Sequence, residues 1–256
     1  MMIFLFFTFG LITGSLMNVC IYRLPRKESI ISPRSHCTRC GKNIPWYDNI
    51  PLLSFMLLKG RCRFCKKRIS FVYPTVEILS GSICALLFLR FGLTPDFFIL
   101  WFFTSALIVV SFIDLRIREI PDEITLSGIA LGLALSTLYP GLLGESARLP
   151  AFLNSFLGVV AGGGSIYALG FLGEFIFKKE AMGGGDVKLL AMIGAFLGWK
   201  LTIFTFFLAP VFGSIVGIIM KVKNGEDIIP YGPHLSLAAI VALFYGDEIL
   251  HKVFLI

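Results

Sequence analysis

An all-α membrane protein of about eight crossing helices, with one small cysteine-rich loop domain, is the fold that three observations predict. Of 256 residues 56% are hydrophobic and only 15% are charged, with a mean hydropathy of +0.84; soluble domains carry about 25% charged residues. The apolar residues fall in runs long enough to cross a bilayer, which takes about 20 residues each. The basic residues crowd into a few loops between those runs, as the positive-inside rule expects of segments left in the cytoplasm.

Taken in order, the predicted spans are 2–22, 72–91, 96–113, 123–139, 152–177, 189–199, 201–220 and 232–254. The sixth is short, so seven spans form the alternative, with 189–220 as one broken helix or a re-entrant pair. No basic residue precedes the first apolar run, and Arg23, Arg26 and Lys27 follow it without a small-residue cleavage pattern. It therefore reads as a retained helix with its N-terminus outside. On that orientation the inside loops are 23–71, 114–122, 178–188 and 221–231. They hold 19 of the 23 Lys and Arg, leaving Arg90, Arg148, Lys200 and Lys252 outside. The domain organisation follows: a first transmembrane helix (1–22), a cytoplasmic module (23–71) and a membrane core (72–256). The net charge of +7 does not point to nucleic acid, because it sits in loops between spans rather than in a folded basic domain. Lipid is the expected surrounding. Gly158 and Gly162, four residues apart, predict a close helix approach in the fifth span. No long-period internal repeat is expected.

Cys37-Thr38-Arg39-Cys40 and Cys62-Arg63-Phe64-Cys65 form two C-x2-C knuckles, one on either side of the segment 41–61. Each knuckle presents two thiolates on a tight turn, and two knuckles complete a tetrahedral zinc site. Four protein ligands leave no open position, so the expected zinc is structural. It would fold a basic module, 12 Lys and Arg against Glu28 and Asp48, that has little core of its own. Cys20 and Cys84 lie within spans and read as small apolar packing.

Carboxylates near span ends are the candidates for chemistry, because an acid inside a bilayer costs on the order of 2.5–3.5 kcal/mol at a helix centre. Asp114 and Asp122 bracket the inside turn between spans three and four. Asp186 follows Gly183-Gly184-Gly185 at the inside start of span six. Asp122 reads as the N-cap of the fourth span, flanked by Pro121 and Glu123. Asp114 could be an interfacial acid neutralised by Arg116 or Arg118. Asp186 has two readings, an N-cap, or a carboxylate that glycine lets an extended substrate backbone approach. Asp114 and Asp186 on one membrane face could form a dyad that shares a proton, one carboxyl activating water and the other protonating a carbonyl. Paired acids also occur along proton or ion pathways, so an ion- or proton-coupled transporter is the alternative, and a non-catalytic membrane scaffold is a third class.

Gly14-Ser15-Leu16-Met17-Asn18-Val19-Cys20-Ile21-Tyr22-Arg23-Leu24-Pro25 resembles the opening signature of the type IV prepilin peptidases, GxGD-type intramembrane aspartyl proteases. The knuckles bracket Ile44-Pro45-Trp46-Tyr47-Asp48-Asn49-Ile50-Pro51-Leu52-Leu53-Ser54, similar to the same family. Tyr73-Pro74-Thr75-Val76-Glu77, the Asp114 stretch and Gly183-Gly184-Gly185-Asp186 then follow in the family's order, with Gly183 and Gly185 at the fixed glycines of G-x-G-D. The resemblance implies a multi-pass protease of the bacterial inner membrane with a periplasmic N-terminus. It would cut the basic leader of type IV prepilins or type II secretion pseudopilins after a glycine at the cytoplasmic face, using Asp114 and Asp186. It also implies N-methylation of the new N-terminus with S-adenosylmethionine, in which the large cytoplasmic loop is implicated. No methyl-donor signature of the soluble Rossmann type is present, so methylation enters on the resemblance alone.

Overall fold

The structure, a computed structural model, describes residues 1–178, 183–224 and 230–254. Met182 and parts of the expected inside loops 178–188 and 221–231 lie outside them. The helices are α1 (Met2–Arg23), α2 (Leu53–Leu57), α3 (Val72–Phe91), α4 (Pro95–Ile117), α5 (Asp122–Leu138), α6 (Arg148–Phe177), α7 (Gly184–Asn224) and α8 (Gly232–Phe254). The chain divides into two compact units, Met1–Val109 and Val110–Ile256, and the boundary falls within α4.

Among the described residues, six helices are long and apolar enough to cross a bilayer: α1, α3, α4, α6, α7 and α8. Six, rather than the expected eight, meet both criteria. At 17 residues α5 sits at the lower limit for a span, and α7 takes in both expected spans 189–199 and 201–220.

Small residues set the distances between helices in both units. In the first unit Gly10 and Gly14 of α1 face Gly81 and Glu77 of α3, so closely that a methyl group on either glycine would meet the opposing backbone. Ser80 donates its hydroxyl to the Gly10 carbonyl at 2.5 Å, and the Asn18 amide donates to Tyr73 O at 3.0 Å. Towards the other end Phe6 stacks on Phe88 (4.1 Å between ring centroids) with Phe97 edge-on to both. In the second unit Gly158 and Gly162 of α6 lie against the backbone of Gly194 and Leu190 of α7, the close approach their spacing predicts.

α7 is two limbs rather than one rod. Gly185 lies against Ile120, Ile120 against Gly232, and Gly213 against Tyr231 and His234. Gly185 and Gly213 therefore stand beside the same short turn, although a straight helix would separate them by about 42 Å. The chain runs out along one limb, reverses at Gly198 (φ 73°, ψ 171°) and returns along the other. That φ suits glycine, which has no Cβ to clash. The reversal diverts the Trp199 N–H to Asn154 Oδ1 at 3.3 Å and deprives the Ala195 carbonyl of its helical partner. Ser136 and Ser155, from α5 and α6, both donate to that carbonyl at 2.9 and 2.7 Å. Inside a bilayer, backbone groups have to be satisfied by the protein itself, and here three side chains from two neighbouring helices do it.

The cysteine module contains a repeat that the sequence did not lead us to expect. Cys37 N donates to Lys42 O and Gly41 N to Cys37 O; in the second knuckle Cys62 N donates to Lys67 O and Lys66 N to Cys62 O. Isolated bridges His36–Asn43 and Arg61–Arg68 flank the knuckles with the same offset. Ile44 N to Ser35 O and Ile69 N to Gly60 O close both loops at 2.8 Å. Each knuckle turns through a left-handed residue, Gly41 (φ 70°) in one and Lys66 (φ 57°) in the other.

Candidate active site and metal centre

The four cysteines expected to be ligands come together. Their sulfurs all lie within 4.8 Å of one another, with Cys37 Sγ and Cys65 Sγ 3.9 Å apart, so the cluster can hold a metal ion. Cys62 is buried, whereas Cys20 and Cys84 belong to α1 and α3. Asp48 binds the Arg63 side chain through two hydrogen bonds of 2.6 Å, which ties the segment between the knuckles to the second of them. The guanidinium holds the Asp48 carboxyl below the usual carboxylate range.

The second unit assembles three segments distant in sequence. Asp114 lies in the last turn of α4 and is only 5% exposed. α4 closes just beyond it, where Arg118 adopts a left-handed conformation and donates its N–H to Asp114 O at 2.9 Å. The Asp114 carboxylate accepts the Gly232 N–H on Oδ2 at 2.8 Å. A methyl group at Gly232 would stand 2.7 Å from that oxygen, so only glycine brings the backbone this near. Asp186 lies in the first turn of α7, half-buried, within electrostatic reach of Asp114. Burial, with the nearby Asp186 charge added to it, pushes the Tyr231 phenol up to about 12, so it remains a protonated donor across the neutral range. His234, buried at the start of α8, places Nδ1 3.0 Å from Pro230 O. A carbonyl only accepts, so Nδ1 carries the proton, and the ring lies within electrostatic reach of Asp114.

The N-cap assignment of Asp122 needs correction, and of the two readings of Asp186 the N-cap one fails. α5 begins at Asp122 itself, with Pro121 as its N-cap, and the Asp122 side chain makes no capping bond. It pairs instead with Lys188 Nζ at 2.5 Å, joining the starts of α5 and α7. α7 starts at Gly184, two residues before Asp186, so the Asp186 carboxylate is inside the helix rather than at its cap. Of the glycines before it, Gly185 faces Ile120, which would be 2.9 Å from an added Cβ; among the described residues an added Cβ at Gly183 would meet only Asp186 Oδ2, at 3.4 Å.

Sequence reasoning missed the turn Pro230-Tyr231-Gly232-Pro233-His234. Two prolines around Tyr-Gly and a histidine opening an apolar span were the available signal.

Comparison with known proteins finds similarity along most of the chain. Residues 8–91 match the Bacterial Peptidase A24 N-terminal domain, and residues 101–218 match the Type IV leader peptidase family. A Prepilin leader peptidase/N-methyltransferase of Pseudomonas putida is 34% identical over 265 residues, covering 94% of this chain and 89% of that protein. One from Bacillus subtilis is 34% identical and covers 97% of this chain and 96% of the relative. One from Myxococcus xanthus is 40% identical over 220 residues; the match takes in 86% of this chain and 63% of that longer protein. No solved structure matches significantly. The transporter alternative finds no support among these relatives. By its two matched domains and its end-to-end similarity, the chain belongs to the prepilin leader peptidase/N-methyltransferase family.

Proposed function

We propose that this protein cleaves the basic leader from type IV prepilins or type II secretion pseudopilins, with Asp114 and Asp186 as the catalytic pair. The observation that carries this reading is their approach in the second unit, α4 bringing one carboxylate and the reversed α7 the other to the Tyr231–Gly232 turn. Two close carboxyls do not both ionise cheaply, so one keeps a proton while the other is a base. The base takes a proton from water as the water oxygen attacks the scissile carbonyl; the protonated partner stabilises the oxygen that becomes negative. Collapse of the tetrahedral intermediate breaks the C–N bond, and the proton taken from water goes to the leaving amine. The Gly232 N–H holds Asp114 in one orientation throughout. Gly183 and Gly185 would leave room for extended substrate backbone beside Asp186.

Methylation of the new N-terminal amine, with S-adenosylmethionine as donor, follows from the names of the relatives. No residue of this chain is assigned to the donor. The four cysteines suit structural zinc: a tetrahedron of thiolates with bonds of about 2.3 Å has edges of about 3.8 Å, close to the Cys37–Cys65 separation of 3.9 Å. The placement we propose is the bacterial inner membrane, N-terminus periplasmic, with the zinc module (23–71) cytoplasmic and 72–256 as the protease core. Nineteen of 23 Lys and Arg on one side support it. The test is to incubate purified protein with a prepilin, with and without S-adenosylmethionine, and to weigh the products. Removal of the leader is expected in both reactions and one added methyl group only with the donor. An intact prepilin in both would refute the assignment.

A further inference from the structure

The cysteine module is bound low against the helix pair that carries it. Leu52 N donates to Glu77 Oε2 at 2.9 Å, and the Phe55 ring packs edge-on against Phe71 at 5.6 Å. Glu77 is the sixth residue of α3, about 7.5 Å along its axis from Val72. The 20 residues of α3 rise about 30 Å, the thickness of the hydrocarbon core, so little of the helix can stand clear of the bilayer. The start of α2 is therefore held at the depth where headgroups give way to acyl chains, the level at which amphipathic surface helices lie.

At that depth the module shows apolar side chains outwards. Met56 and Leu57 are each 72% exposed, Trp46 is 81% and Phe71 77%. Lys59, Arg61, Lys66, Lys67 and Arg68 are exposed nearby, while Asp48, one of only two acids from Arg23 to Arg68, is occupied by Arg63. Exposed apolar and aromatic side chains beside a strong excess of positive charge complement an anionic bilayer surface. We propose that α2, with Trp46 and Phe71, is an interfacial anchor that seats the module among the headgroups of anionic lipid. The anchor adds a lipid contact at the depth that Glu77 and Phe71 already set for the module.

The experiment uses the full chain in nanodiscs of phosphatidylglycerol and phosphatidylcholine whose acyl chains carry bromine near the headgroup. The Trp46 signal is obtained as the difference from Trp46→Phe, which keeps Trp101 and Trp199; equal metal content in the two proteins shows that the module is intact. Trp46 emission is expected to fall at least twofold with brominated lipid and to be shielded from aqueous acrylamide. Replacing all phosphatidylglycerol by phosphatidylcholine should weaken both effects. Quenching by acrylamide and not by bromine would overturn the proposal by placing Trp46 in water. Shielding from both would overturn it too, because a second copy or another protein segment would then cover the patch.

Discussion

The cysteine module and the aspartate site are built on opposite plans. The module takes all four sulfurs from one short stretch, 37–65, and its two halves repeat the same hydrogen bonds. The aspartate site draws on the end of α4, the start of α7 and the turn before α8, which approach only because α7 reverses at Gly198. A local site tolerates change elsewhere and fails as a unit. A site assembled by topology can lose its chemistry to one atom while its helices stay in place.

The largest effect that tests this contrast is expected from Asp114→Asn or Asp186→Asn. General acid–base groups contribute about 10²–10⁴-fold, so prepilin cleavage should drop by at least about a hundredfold. Circular dichroism and yield should not change. Near-normal cleavage by either variant would remove that residue from the pair.

Gly232→Ala comes next. Its methyl group would crowd Asp114 Oδ2 and displace the N–H it accepts. A hydrogen bond to a charged group is worth about 1.5–3 kcal/mol, so the rate should fall roughly 10- to 100-fold. The decrease should appear in kcat more than in KM, as measured by initial rates over a range of prepilin concentration. Equal losses from Gly232→Ala and from alanine at an exposed position of α8 would mean that the contact with Asp114 is incidental.

Cys62→Ser, or prolonged chelation, should act on the other region. Metal content should fall well below one per chain, and limited proteolysis should open the segment 29–70 while the helices of the second unit stay resistant. Cleavage should suffer indirectly, by about tenfold or less, because four-thiolate zinc has no position for water. A loss as complete as that of Asp114→Asn would show that the two regions do not fail separately.

The smallest effect belongs to Asp122→Asn. Its pairing with Lys188 is solvent-exposed, and such pairs contribute little, so cleavage should change by less than about threefold. A collapse of activity would mean that Asp122, rather than Asp114, supplies the carboxylate from that stretch.

What the sequence made legible follows the same division. Zinc-type spacing is written in a few adjacent residues, so Cys37, Cys40, Cys62 and Cys65 could be read together. The repeat around them escaped because it lies mostly in backbone hydrogen bonds; beyond the cysteines, Lys42 and Lys67, and Ile44 and Ile69, are the residues that match. Asp114 and Asp186 could be named as candidates from charge beside apolar runs and from family resemblance. Their approach could only be assumed from a shared membrane face, because contact between segments distant in sequence is written in neither stretch. Tyr231, Gly232 and His234 stayed hidden for the same reason: their importance lies in what α8 is placed against. The N-cap assignment of Asp122, and the N-cap alternative for Asp186, failed at the level of single residues. A helix that starts two positions early turns a cap into a first-turn side chain, and Asp122 found a lysine from another helix.

The outgoing limb of α7 has a consequence through its length alone. From Gly184 to the break at Gly198 it has about 14 residues and rises about 21 Å, against a hydrocarbon layer of about 30 Å. Residues 189–198 are buried, so neighbouring helices rather than lipid surround the limb and take up the shortfall. Its length is therefore free to be set by where Asp186, near its start, has to stand, and not by the thickness of the bilayer.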